Sequence, residues 1–186
     1  MYSTPSTTSK IKDMTLIGLM SAIICIMAPF SVILPVSPVP ISLGTLAIYF
    51  AIMVLGRRLG FFSVLLYILL GLIGLPVFTG FTGGVGKILG PTGGYIIGYL
   101  FMALICGFFT DRWFGKFFPN FAGMLLGTAV CYGFGTVWFI FQSNMSLSAA
   151  FGSAVLPFLP GDLVKMLIAI FIGRQVQKRL KLANLL

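Results

Sequence analysis

The sequence predicts an all-α integral membrane protein: a single six-helix transmembrane bundle with both termini cytoplasmic and an outward-facing ligand pocket beneath Gly/Pro-rich loops. Three observations predict it. Hydrophobic residues make up 59% of the 186 positions and charged residues only 8%, whereas a soluble domain carries about a quarter charged. The apolar residues gather into six runs, at about 16–34, 41–55, 59–75, 95–109, 121–141 and 156–173, and only helices or closed barrels satisfy their backbone within hydrocarbon. The runs are unbroken rather than alternating, which selects helices. Finally, ten of the twelve basic residues fall in four clusters on alternate connections.

Those clusters orient the bundle. Lys10 and Lys12 precede the first run, Arg57 and Arg58 join the second to the third, Arg112 and Lys116 join the fourth to the fifth, and Arg174, Lys178, Arg179 and Lys181 follow the sixth. Basic residues near helix ends stay on the cytoplasmic side, so both termini are expected there. The opposite connections, 35–40, 76–94 and 142–161, hold only Lys87 among them. The net charge of +9 is thereby assigned to topology and anionic lipid rather than to nucleic acid. The first run is read as helix rather than as a cleaved leader, since about twenty apolar residues pass without a small-residue cleavage site. No internal repeat or linker divides residues 1–186, which are read as one membrane domain.

The second run, 15 residues, spans about 22 Å as helix against a hydrocarbon core near 30 Å. The outer connections beside it are rich in proline and glycine. Irregular backbone at membrane depth is tolerated where it is buried or lines a cavity, so a pocket opening outward is expected.

The loop 76–94 is the most unusual stretch, with seven glycines in the sixteen residues from Gly80 to Tyr95. Glycine lets main-chain N–H groups approach a small molecule closely, although a tightly turning connector needs glycine as well. Thr82, Gly83, Gly84, Lys87 and Tyr95 are its candidate ligand contacts. Gly86-Lys87 is not a nucleotide-binding loop, because Phe81 stands where that motif needs glycine and Ile88 where it needs serine or threonine.

Asp162 and Lys165 form the second constellation. Of three acids, Asp13 and Asp111 belong to cytoplasmic flanks, and Asp162 is the only one on the outer side. Pro160-Gly161 announces a helix start, so Asp162 suits the first turn with Lys165 as its i,i+3 partner. A lysine one turn into an apolar span costs about 2.5–3.5 kcal/mol at the bilayer centre and less near its edge, and intramembrane ion pairs commonly mark a ligand or ion path. Phe78, Phe81, Tyr95, Tyr132 and Trp138 are candidate apolar walls for an amphiphilic anion. Cys25, Cys106 and Cys131 lie mid-helix without metal spacing and are read as packing residues. Gly18 and Ala22 have the small-xxx-small spacing that lets helices approach closely in a bilayer, within this bundle or against a partner.

Four strings carry a family resemblance: Pro38-Val39-Pro40-Ile41-Ser42-Leu43, Gly74-Leu75-Pro76-Val77-Phe78, Leu89-Gly90-Pro91-Thr92-Gly93-Gly94-Tyr95 and Pro160-Gly161-Asp162-Leu163-Val164-Lys165. In this order and spacing the chain resembles the BioY family, the biotin-binding S components of energy-coupling-factor (ECF) vitamin transporters in prokaryotes. The resemblance implies a multi-pass subunit of the prokaryotic cell membrane that binds biotin outside. It would deliver biotin inward when docked on a transmembrane coupling protein (the T component) and two cytoplasmic ATPase subunits, with no cofactor and no enzymatic activity of its own. It implies substrate contacts at Asp162, Lys165 and Thr82, and a partner-coupling face at Gly18 and Ala22. Two departures stand out: Gly44 where many members have glutamine, and Ile96 where some have arginine. Lys87 is the candidate replacement for that positive charge near the biotin carboxylate, with the choice between Lys87 and Lys165 open. A carrier of the same architecture for another vitamin, and a self-sufficient secondary transporter, are the alternatives.

Overall fold

The computed structural model describes residues 7–32, 41–183 and 185–186. They form an almost wholly helical body: α1 (Thr7–Met27), a two-residue strand pair β1 (Ser31–Val32) and β2 (Ile41–Ser42), α2 (Gly44–Leu72), α3 (Val85–Leu89), α4 (Gly93–Arg112), α5 (Phe117–Ser143), α6 (Leu147–Ala154) and α7 (Leu159–Leu182). α2, α4 and α5 are each long and apolar enough to cross a membrane, and α6 with α7 forms a fourth such unit bent by 47°.

α1 departs from the expected 16–34. It begins at Thr7 and stops at Met27, because hydropathy detects only the apolar part of a helix whose polar first turns carry Lys10 and Lys12. Pro29 ends it, lacking an N–H and disfavouring helical backbone in the residue before it. The chain then passes into β1, which pairs antiparallel with β2 in the register Ser31↔Ser42 and Val32↔Ile41. The expected outer connection 35–40 lies outside the described residues, and so do Pro38, Val39 and Pro40.

α2 holds two expected helices, 41–55 and 59–75, as one element broken at a single residue, Gly56 (φ 76°, ψ −167°). This backbone region is essentially closed to residues with a Cβ. Space forbids one as well, since a Cβ at Gly56 would overlap the Asp111 carboxylate. Asp111, from the end of α4, accepts the Arg57 N–H at 3.1 and 3.3 Å through its two oxygens, satisfying a donor that the break leaves free. The first half of α2 is the centre of the core: Ile48, Tyr49, Ile52, Met53 and Val54 are wholly buried among α1, α4 and α7.

The loop after α2 is pinned rather than loose. Phe78 is buried against Gly71 and meets Tyr67 edge-on at 5.6 Å, while Gly84 N–H donates to Gly71 O at 2.7 Å. Phe78 and Thr82 bridge across a turn whose Gly80 N–H reaches Pro29 O at 2.9 Å. α4 and α5 then pack closely through small residues: Gly98 faces Cys131 and Gly127 faces Cys106, the close approach that small side chains permit in membranes. Cys106 and Cys131 are thus seam residues between these two helices.

The expected last helix, 156–173, also needs correction. α7 starts at Leu159 and runs on to Leu182, so Arg174, Lys178, Arg179 and Lys181 ride on it instead of following it. Basic residues are good helix formers and favour a helix C-terminus. The outer connection 142–161 contains a further helix, α6, whose N-cap Ser146 accepts the Ala149 N–H at 3.4 Å.

Candidate functional site

A cavity of about 770 Å³, including its mouth, lies among the starts of α2, α4 and α7, the middle of α5 and the turn at Phe78. Along α4 it extends from Thr92 to Met102, ten residues or about 15 Å of helix.

Asp162 and Lys165 stand at its polar end. One turn apart on α7, they form an ion pair at 2.9 Å and are buried, 4% and 8% exposed. Lys165 Nζ also donates to Ser42 O at 2.8 Å and to Thr45 Oγ1 at 2.9 Å. All three ammonium protons are therefore engaged, and the lysine ties α7 to the β2–α2 junction. Asp162 Oδ2 accepts from the Tyr132 hydroxyl of α5, and Oδ1 accepts from Thr45 Oγ1 at 3.4 Å as well as from Lys165. A carboxylate offers about four lone-pair sites, and three contacts engage this one. Burial of two charges is tolerable only with such saturation, because desolvation otherwise outweighs their attraction.

The walls are aromatic. Of the six tyrosines in the chain, Tyr49, Tyr67, Tyr95, Tyr99 and Tyr132 line the cavity. Tyr49 shares a hydrogen bond with Thr128 Oγ1 at 2.5 Å and Tyr95 one with Thr136 Oγ1 at 3.2 Å, whereas the Tyr67 and Tyr99 hydroxyls have no partner among the described residues. Thr79 and Thr92 add hydroxyls on the loop side.

Of the residues singled out in the sequence, Asp162, Lys165, Tyr95, Phe78 and Tyr132 come together here, and Phe81 and Trp138 do not. Thr82, Gly83, Gly84 and Lys87 are also absent from the lining. Thr82 donates to Thr79 O at 2.9 Å and is exposed. Gly83 sits so close to Leu75 O that a Cβ would overlap it, and Gly84 has φ +88°; both serve the turn. Lys87 is half-buried on α3, and burial draws its pKa below the usual lysine value. Ile96, where an arginine was the family alternative, lines the wall, and so does Gly44. Gly18 and Ala22 lie on α1 away from the cavity; Ala22 is exposed and a Cβ at Gly18 would meet nothing within 4 Å.

Sequence reasoning missed Ser42, Thr45, Tyr49, Tyr67, Tyr99 and Thr128. A signal existed in the ratio of six tyrosines to nineteen phenylalanines. Where phenylalanine is the default aromatic, each tyrosine carries a hydroxyl that hydrocarbon cannot satisfy.

The family model described as "BioY family" matches residues 3–182. The probable biotin transporter BioY of Pyrococcus horikoshii is 38% identical over 90% of this chain and 98% of its own length. Biotin transporter BioY2 of Lactococcus lactis subsp. cremoris is 34% identical over 95% and 96%. Among solved structures, the crystal structure of the S-component for biotin from an ECF-type ABC transporter superposes with a TM-score of 0.86 at 34% identity, covering 94% of this chain and 95% of that one.

Proposed function

The chain belongs to the BioY family, and from that premise we propose that it is the biotin-binding S component of an ECF-type importer. It is a transporter subunit, not an enzyme. Counting the halves of α2 separately and α6–α7 as one bent span, the bundle crosses the membrane six times. The basic residues at Gly56–Arg58, at the α4–α5 turn and at both chain ends then face the cytoplasm, and the cavity opens outward. Biotin enters from outside; a T component and two cytoplasmic ATPase subunits drive its delivery inward.

The observation that carries the reading is the Asp162–Lys165 pair at the end of a tyrosine-lined cavity. Biotin's ureido ring carries two N–H donors and one strong acceptor on a compact apolar bicycle. Asp162, with one acceptor site unused, takes a ureido N–H. The weakly held Thr45 hydroxyl, 3.4 Å from Asp162 and 3.4 Å from Ser42 O, is the group that yields, freeing one Lys165 proton for the ureido oxygen. Tyrosine rings enclose the bicycle and the aliphatic chain, and the Tyr67 and Tyr99 hydroxyls donate to the ligand's remaining oxygens. Exclusion of water strengthens each of these polar contacts.

Titration calorimetry of the purified subunit tests this. Tight one-to-one binding of biotin, absent with riboflavin and thiamine and lost in a folded Asp162→Asn variant, is the expected result. Preference for another vitamin overturns the ligand while keeping the carrier.

A further inference from the structure

A second hollow lies behind the first. α4 and α5 pack along their length, but α5 and α7 touch sparingly, and between them runs a groove of about 1190 Å³ including its open side. Ala129, Gly133 and Val137 line it along α5, with Phe151 from α6 and Leu163 from α7. From Leu125 to Val137, both in the lining, the groove follows twelve residues of α5, about 18 Å. Its rim is apolar and open: Val137, Phe151 and Leu163 are 53%, 48% and 40% exposed. Its floor is polar, because Thr128, Tyr132 and Asp162 line both this groove and the ligand cavity. Those three residues, with the hydrogen bond from Tyr132 to Asp162, thus form part of the wall between the two spaces.

α5 and the α6–α7 pair are among the elements apolar enough to cross a membrane, so the rim is continuous with the bilayer-facing surface. An empty apolar groove forfeits its dispersion contacts, and water in it would find partners only at the floor. Hydrocarbon is the matter at hand on the open side. We propose that the groove holds an acyl chain of a bilayer phospholipid, which seals the membrane side of the ligand cavity at Tyr132 and Asp162. The chain takes the place of the protein contacts missing between α5 and α7. It also keeps water from reaching the buried ion pair through that gap.

Gly133 supplies the test. It is exposed and a Cβ there meets nothing within 4 Å, so Gly133→Phe places a ring in the groove without displacing protein. Native mass spectrometry of the subunit, reconstituted with dioleoyl phosphatidylglycerol and released from detergent, counts lipids that survive removal of the loosely held ones. The wild type is expected to keep a phospholipid that Gly133→Phe loses, while Leu104→Phe, at an exposed position of α4 outside the groove lining, keeps it. Ala129→Leu carries the same expectation if Gly133→Phe fails to fold. A wild type that retains no lipid, or equal retention in all variants, overturns the proposal. Loss of assembly with partner subunits at unchanged lipid retention also overturns it and gives the groove to a protein. The lipid count does not depend on the ligand. Biotin titration run in parallel therefore separates the two readings, since a wild type that binds lipid but no biotin defeats the site assignment alone.

Discussion

Replacing Lys165 by methionine tests whether the ion pair is the structural keystone of the cavity. Methionine preserves most of the side chain's length and removes the three hydrogen bonds to Ser42 O, Thr45 Oγ1 and Asp162 Oδ1, at 2.8, 2.9 and 2.9 Å. Asp162, buried at 4% exposure, is left charged with only Tyr132 and the long Thr45 contact. Breaking a buried pair in this way costs about 3–5 kcal/mol, a factor of about 10²–10⁴ in the unfolding constant. Asp162→Asn is milder, about 1.5–3 kcal/mol, because its amide oxygen still accepts from the ammonium. The double variant carries neither charge and costs less than the sum of the two. Unfolding of the purified subunit in dodecylmaltoside by added sodium dodecyl sulfate, followed by circular dichroism, measures all three. A Lys165→Met cost below about 1 kcal/mol, or strict additivity in the double variant, refutes the reasoning, since partners in one buried network must couple.

Other expectations follow from single contacts. Gly56→Ala forces a Cβ into a backbone region reserved for glycine and against Asp111; it should cost about 1–3 kcal/mol from the dihedrals alone, and unchanged stability in the same unfolding assay refutes the break as described. Tyr99→Phe removes a hydroxyl that has no hydrogen-bond partner among the described residues and should weaken biotin about tenfold by calorimetry at unchanged stability, the effect of one hydrogen bond. Lys87→Ala should leave the affinity within about threefold, because Lys87 does not line the cavity; a larger loss means the α3 loop closes onto the ligand. Gly18→Leu should leave biotin binding by the isolated subunit intact, since its Cβ position is open, and should abolish co-purification with the coupling protein.

The helical architecture was legible because membranes leave the backbone few options, and the basic clusters marked the turns at Arg57 and Lys116. Legibility failed where polar residues continue a helix beyond hydrocarbon, at Thr7–Lys12 and Arg174–Leu182, since hydropathy registers transfer free energy and not backbone dihedrals. It failed again at α6, which is short and capped by one serine. In the site, Asp162 and Lys165 stood out because charge is rare in this chain and each one needs a reason. The glycines of the 80–94 loop drew attention for ligand contacts, yet Gly83 and Gly84 answer to the turn and to Leu75 and Gly71. Thr45 was hidden for the opposite reason: a threonine hydroxyl in an apolar helix can satisfy itself on its own backbone, so its residue type does not say which way it faces. Only packing decides that.

The two tryptophans give the molecule an optical asymmetry. Trp138 donates its indole N–H to Gly90 O at 3.0 Å, two residues before Thr92 at the cavity wall, while standing outside the lining itself. Trp113 lies at the far end of α4, packed on Phe109 with the Arg112 guanidinium 5.7 Å from its ring. Any shift of the Gly90 segment when the cavity fills alters the polarity and quenching of one indole and leaves the other as an internal reference. The intrinsic emission spectrum of the unlabelled protein is therefore a position gauge for the loop, readable in stopped-flow mixing on the timescale of ligand capture.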